Sequence, residues 1–201
     1  MLCRVTEPPP FAAKPILTGR KTTLRPFRDE DLSAIAEALA DPEVLRLTGS
    51  VHTSAEASNQ QATIDDRLRQ WYGSRNHQTD RLDLAVLDNA TALCVGEVVL
   101  NQWDEANDSC NFRILLGPTG RNRGLGTEAT RLMLGHAFTV LGLHRVSLEV
   151  YAFNPRAQHV YEKAGFTVEG IKRDALWFDG QRVNAVMMSL LAPEWTAPYM
   201  P

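Results

Sequence analysis

Apolar positions recur along this chain with two periods, one of about two residues and one of about 3.6. Leu82, Leu84 and Val86 alternate, Asp88-Asn89 turns the chain, and residues 92–100 return, which predicts a β-hairpin. Val146, Leu148 and Val150 repeat the alternation, and residues 22–27 and 110–116 read as further strands. Helical spacing begins after Asp29 with Leu32, Ile35, Ala36 and Leu39, and Asp41-Pro42 is read as its end. The pair Thr53 and Glu56 forms a capping box for a second helix, whose stripe Ile64, Leu68, Trp71 and Tyr72 is expected in the core and which Gly73 stops. A third helix carries Leu125, Ala129, Leu132, Met133, Ala137, Val140 and Leu141 on its buried face and closes at Gly142. Asn154-Pro155 opens a fourth, with Asn154 as cap, and Gly165 closes it. Strand resumes at Phe166, turns at Asp179-Gly180 and runs through Leu191. This order predicts an α+β fold: one domain over residues 20–192 with a mixed, mostly antiparallel sheet and helices on both faces. Residues 1–19 are expected to be a flexible leader and 193–201 a tail.

Composition narrows the classes. A chain of 201 residues with 44% hydrophobic and 22% charged residues supports one full core. The net charge of −3, with no basic run interleaved with aromatics, argues against a nucleic-acid partner. No apolar run reaches transmembrane length, and the start at Pro8-Pro9-Pro10 lacks a signal-peptide core, so a cytoplasmic protein without a membrane partner is expected. Cys3, Cys94 and Cys110 are odd in number and fit neither a disulfide framework nor metal-ligand spacing, so no metal is expected. Cys94 reads as core. Cys110 has no defined histidine partner that would make it a nucleophile.

The chemistry concentrates at Arg121-Asn122-Arg123-Gly124-Leu125-Gly126-Thr127, between strand 110–116 and the third helix. A glycine-bearing strand–loop–helix junction offers consecutive backbone N–H groups and the positive end of a helix dipole to an anion. Arg121 and Arg123 add charge suited to phosphate. A Walker loop is excluded because no lysine follows Gly126. A dinucleotide fingerprint is excluded because Ala129 stands at the third glycine position. Taken alone, the loop is also compatible with a plain helix-starting turn.

About thirty residues on lie Asn154, Ala157, Tyr161, Gly165 and Phe166, in the pattern N-x-x-A-x-x-x-Y-x-x-x-G-F. With Arg121, Gly124 and Gly126 as [QR]-x-x-G-x-[GA], the two segments resemble the GNAT superfamily of acyl-CoA N-acyltransferases. The flanks Thr23-Leu24-Arg25-Pro26-Phe27, Arg173-Asp174-Ala175-Leu176 and Asp179-Gly180 look most like the branch of ribosomal-protein N-terminal acetyltransferases. The resemblance implies acetyl-CoA as co-substrate and direct transfer to an amine. The expected acceptor is a protein or peptide α-amine; the alternatives are a small amine, such as an aminoglycoside or polyamine, and a non-catalytic acyl-CoA sensor. It implies that residues 121–127 hold the pyrophosphate, that Asn154 and Ala157 contact the cofactor, and that backbone groups of Leu115 and Leu116 meet the pantetheine arm between two splayed strands.

Tyr161 is the implied general acid, because a phenol stays protonated at neutral pH; on residues alone it also fits as a packing tyrosine. Many relatives carry a glutamate near the start of the fourth strand, where this chain has Asn111. Glu97, Asp108 and Glu149 are the substitutes for a base. Leu47, His52, Tyr72, Trp177 and Phe178 are the expected acceptor wall, with Trp177 and Phe178 alternatively placed at a homodimer interface.

Overall fold

A computed structural model of the chain describes residues 11–196. The triple proline and Cys3 of the leader, and residues 197–201 of the tail, lie outside the described residues. Among the described residues eight strands form one sheet: β1 (Leu17–Thr18), β2 (Thr22–Arg25), β3 (Leu82–Asp88), β4 (Cys94–Asp104), β5 (Ser109–Leu116), β6 (Arg145–Tyr151), β7 (Thr167–Phe178) and β8 (Gln181–Leu191), ordered β1-β2-β3-β4-β5-β6-β8-β7. Every neighbouring pair is antiparallel except β5 and β6. That parallel pair needs a crossover, and helix α5 (Leu125–Thr139) supplies it. Helices α1 (Leu32–Ala40), α2 (Pro42–Thr48), α3 (Ser54–Ser58) and α4 (Asp66–Arg75) lie between β2 and β3 in sequence, and α6 (Pro155–Ala164) follows β6. The α+β class, mixed sheet and two-sided helix arrangement expected from the sequence are those observed.

Strand alternation sorts side chains to two faces. On one, Leu84, Val98, Phe112, Val146 and Leu148 are buried with Leu125, Ala129 and Met133 of α5 and Tyr161 and Ala164 of α6. On the other, Ala85 and Cys94 pack with Phe27, Leu32, Ile35 and Tyr72. Each large side chain so buried stabilises the fold by roughly 1.5–3 kcal/mol. The first face therefore forms the principal core, and α5 is buried almost all round because α6 packs beside it.

Five boundaries differ from the sequence reading. Phe11 is fully buried and packs edge-on to Trp103 at 5.7 Å, and Leu17–Thr18 pairs with β2, so the folded region includes Phe11 and part of the expected leader. In the expected tail, Trp195 packs on Phe138 with ring centroids 5.8 Å apart. Asp41-Pro42 does not merely end α1. The Asp41 side chain accepts from Val44 N–H and starts α2 with Pro42 in its first turn, the cap chemistry that same dipeptide also encodes. The single helix expected from Thr53 to Gly73 is two: Thr53 caps α3, Asp65 caps α4, and α4 continues through Gly73 to Arg75. This break leaves Ile64 outside a helix and turns Trp71 outward, 53% exposed, while Tyr72 is buried as expected. Likewise α5 stops at Thr139, and Val140 is exposed rather than core.

Candidate active site

The site begins where β5 leaves β6. The two strands pair only at Ser109↔Arg145, Cys110↔Val146 and Asn111↔Ser147; beyond Asn111, β5 stays with β4 and β6 with β8. A wedge therefore opens between Phe112–Leu116 and Leu148–Tyr151, with one free strand edge on each side. In an antiparallel ladder the N–H and C=O of one residue point the same way, and successive residues alternate. Gly117 donates to Val95 O at 2.9 Å, so Leu115, two residues earlier and opposite Glu97, also turns its backbone toward β4. A Cβ on Gly96 would meet the Leu115 oxygen at 2.0 Å, which places that carbonyl against β4. The backbone groups facing the wedge are those of Ile114 and Leu116, not of Leu115 as expected, and the Leu116 oxygen already accepts from Arg121 Nε at 3.0 Å. Ile114 was missed because its direction depends on register with β4, which no local pattern carries.

At the wide end of the wedge lies the loop before α5. Asn122 (φ 59°) and Gly124 (φ 81°) are both left-handed. Among the described residues, no hydrogen bond uses the N–H of Asn122, Arg123 or Gly124, and those of Leu125, Gly126 and Thr127 begin a helix, where no intrahelical acceptor exists. Six successive donors at a helix N-terminus fit a pyrophosphate. Adding a β-branched side chain at Gly124 forces a left-handed φ on it and brings its Cβ within 3.0 Å of Lys21 Nζ, whereas at Gly126 a Cβ meets only a Leu116 methyl at 3.1 Å. We therefore expect Gly124→Val to weaken coenzyme A binding roughly 10-fold or more, from backbone strain of about 1–3 kcal/mol, with a smaller effect from Gly126→Ala. Calorimetry finding native affinity in folded Gly124→Val would remove the loop assignment.

The arginines of this loop are otherwise engaged. Arg121 sends its guanidinium to Asp41 and Glu43 at the start of α2, and Glu43 also accepts from Arg156 at the start of α6 at 2.9 Å. Arg123 binds Asp88 at 2.7 Å. Both guanidiniums are thus drawn to carboxylates of the protein, Arg121 through both terminal nitrogens and Arg123 through one, and among the described residues the donors of the loop left without a partner are its amides. Lys21 also reaches the loop, where its Nζ donates to Arg123 O at 3.0 Å; about a hundred residues of sequence separate the two, so no motif signals it. Arg121→Gln should lower unfolding stability by roughly 1–3 kcal/mol, because Asp41 and Glu43 lose their partner, while coenzyme A affinity stays near native. Urea titration and calorimetry would check both, and a fully stable variant that has lost coenzyme A binding would return Arg121 to the phosphate.

Tyr161 stands at the apex of the wedge. Its ring is edge-on to Phe112, the first residue past the last β5–β6 pair, at 6.1 Å, and to Phe166 at 5.9 Å. Burial pushes its phenol up to about 12. Among the described residues no hydrogen bond engages its hydroxyl. Asn154 caps α6 through Oδ1, which accepts from Ala157 N–H at 3.1 Å and leaves its amide NH₂ uncommitted. Cys110 is buried, with its thiol pushed up to about 12 by burial, and so is a poor nucleophile.

On the opposite face of the sheet is a cavity of about 460 Å³, lined among others by Leu39, Val44, Thr48, Gln60, Asp65, Arg67, Trp71, Tyr72, Glu97, Arg113 and Leu115. Glu97 lies in register between Ala85 and Leu115, is 3% exposed, accepts from Tyr72 Oη at 3.0 Å and pairs with Arg113 at 3.2 Å. Burial raises its pKa against the opposing pull of Arg113 and Tyr72. Of the three candidate bases Glu97, opposite Leu115, and Glu149, on the β6 edge, both lie beside the wedge, and Glu97 is the one that lines the cavity. Asp108 precedes the paired end of β5, seven residues or roughly 23 Å of strand from Leu115, and its carbonyl accepts from His144 and Arg145, so strand direction removes it from the site. Glu149 is 3.4 Å from Lys172. Asn111 donates to Asn101. Of the expected acceptor wall only Tyr72 lines the cavity. Phe178 is buried against Phe153, and Trp177 is 47% exposed with Arg182 over its ring.

No helix among the described residues is long and apolar enough to cross a membrane. The Acetyltransferase (GNAT) domain model matches residues 21–167. Spermidine N(1)-acetyltransferase of Escherichia coli (strain K12) is 28% identical over 183 residues, 90% of this chain and 92% of its own. A Bacillus subtilis (strain 168) protein provisionally named a ribosomal N-acetyltransferase is 32% identical over 104 residues, 52% of this chain and 56% of its own. The crystal structure of spermidine N-acetyltransferase from Vibrio cholerae in complex with CoA and spermine superposes with a TM-score of 0.73 at 24% identity, covering 87% of this chain and 97% of that one. With the split pair β5–β6, the amide-lined loop and the family match together, the chain belongs to the GNAT acetyltransferase family and is an acetyl-CoA-dependent N-acetyltransferase.

Proposed function

We propose that this enzyme acetylates the primary amine of a small molecule held in the cavity over Glu97. The observation that carries this reading is a partly open pocket of small-molecule size, about 460 Å³, which α1, α2, α4 and the residues joining α3 to α4 build around the buried carboxyl of Glu97. The 28% identity to a spermidine N(1)-acetyltransferase over nine-tenths of the chain also supports a small amine. The likeness to a ribosomal-type relative, which would favour the protein or peptide α-amine expected from the sequence, covers only half of the chain.

Acetyl-CoA supplies the activated acetyl group. The amides of residues 122–127 would bind its pyrophosphate, and the Ile114 edge would align its pantetheine arm with β5; alignment alone supplies much of the acceleration. The Ile114 backbone N–H is suited to the thioester oxygen. Glu97, or a water it orders, would take the proton from the incoming ammonium, and Tyr161 would donate a hydrogen bond to the departing sulfur. No covalent enzyme intermediate is needed, in keeping with the inert thiol of Cys110. Free-thiol release from acetyl-CoA, run against small amines and N-terminal peptides, tests this. Small amines should turn over at least 10-fold faster in kcat/KM, about 1.4 kcal/mol of transition-state preference. Preference for peptides would restore the protein-terminus reading.

A further inference from the structure

The charges of the acceptor cavity are balanced: Asp65 and Glu97 on one side, Arg67 and Arg113 on the other. Asp65 is partly committed, because its Oδ1 accepts from Leu68 N–H at 2.8 Å as the cap of α4. Glu97 is already paired with Arg113 and Tyr72. A polycation entering this cavity would meet two guanidiniums against two carboxylates, one of them already ion-paired, and so would lack the excess of negative charge that gathers polyamines.

Arg113 has capacity to spare. Its side chain is half exposed, and the bond to Glu97 occupies one of its five donors. A guanidinium with open donors is suited to a carboxylate by geometry as well as charge. Glu97 and Arg113 are thus an adjacent acidic and basic pair at the cavity floor, and the complement of such a pair is a ligand with an ammonium and a carboxylate close together. The rest of the lining sets its body. Leu39, Leu68, Leu115 and Trp71 make an apolar wall, and Arg75 stacks on the Trp71 ring at 3.7 Å, which fixes the indole in place. A half-exposed, braced indole on a cavity wall is a surface for an apolar or aromatic side chain.

We infer that the acceptor is an amino-carboxylate with an apolar body, such as an α-amino acid, whose carboxylate binds Arg113 while its amine lies toward Glu97. This rests on the small-amine reading above and narrows it against polyamines. The test compares L-phenylalanine, phenethylamine and spermidine, by thiol release with acetyl-CoA and by calorimetric binding to the coenzyme A-loaded enzyme. Phenylalanine should exceed the other two in kcat/KM and in affinity, each by roughly 10–100-fold, the worth of one charge-assisted hydrogen bond. Arg113→Gln should abolish that preference over phenethylamine, and Arg113→Lys should restore part of it. Spermidine as the best of the three, or an equal loss for phenylalanine and phenethylamine in Arg113→Gln, would overturn the inference. If none of the three turns over, the small-amine reading falls separately. Binding then decides the carboxylate subsite by itself: a preference for phenylalanine that Arg113→Gln removes upholds it, and its absence refutes it.

Discussion

Tyr161→Phe is expected to lower kcat by roughly 10²–10³-fold, the usual loss on removing one positioned donor, with coenzyme A affinity nearly unchanged. The substitution keeps the ring, and with it the edge-on contacts to Phe112 and Phe166 that hold α6 against the sheet. Only the hydroxyl goes, and that hydroxyl holds no partner within the described protein. The manner of its action follows from its environment. A phenol pushed up to about 12 by burial is a weaker acid than a free thiol, ordinarily near ~8.5, so full proton transfer to the departing sulfur is uphill. Tyr161 is better suited to stabilise that sulfur by a hydrogen bond while keeping its own proton. It also stays protonated throughout the usual assay range, so no alkaline limb below pH ~11 should belong to it, and one that persists in Tyr161→Phe must come from another group. Single-turnover acetyl transfer by rapid quench isolates the chemical step. A native rate there would end the assignment.

The same hydroxyl shows how far sequence carried the site. Asn154 and the glycines of the loop were legible in conformation because each feature is local: a helix cap, a left-handed turn, a helix N-terminus; Tyr161 was singled out only through the family resemblance, since its residues alone also fit packing. The antiparallel strands and most of the helical faces were legible for the same reason, since period and cap residues lie within a few positions of one another. What depended on contacts between distant segments was not. The loop arginines look like phosphate ligands in sequence, yet Asp41, Glu43 and Asp88 claim them from 35 to 80 positions away. Lys21 reaches the loop from about a hundred positions away. The strand direction that sets Ile114 toward the wedge and Leu115 away from it is a property of the β4–β5 register. Trp71 and Tyr72 are adjacent in sequence and equally apolar in the stripe, but the helix break between Ser58 and Asp66 rotates one outward and leaves the other on Glu97.

Glu97 carries the remaining large effect. Its carboxyl is buried beside the wedge, and Glu97→Gln retains an oxygen for Tyr72 while removing the ability to accept a proton. We expect kcat to fall by roughly 10²–10⁴-fold, the range for a positioned general base, and the acidic limb of the rate profile to disappear. In the native enzyme that limb should lie above the ordinary glutamate value of ~4.3, because burial raises the pKa. Activity should therefore climb as pH rises through that raised value. Stability runs the other way. A group whose pKa is raised on folding stabilises the native state while protonated, fully so below its unfolded pKa, and that contribution is lost as pH increases through the folded pKa. The neutral amide keeps the uncharged form at every pH, and Arg113, half exposed, can return to water when its partner is gone. Glu97→Gln should consequently be more stable than the native protein at pH 7, with the difference narrowing toward pH 4, as urea titrations at the two pH values would record. A native kcat together with an unmoved acidic limb would exclude Glu97 as the base; a loss of stability at pH 7 would mean that its bonds to Arg113 and Tyr72 outweigh the burial of its charge.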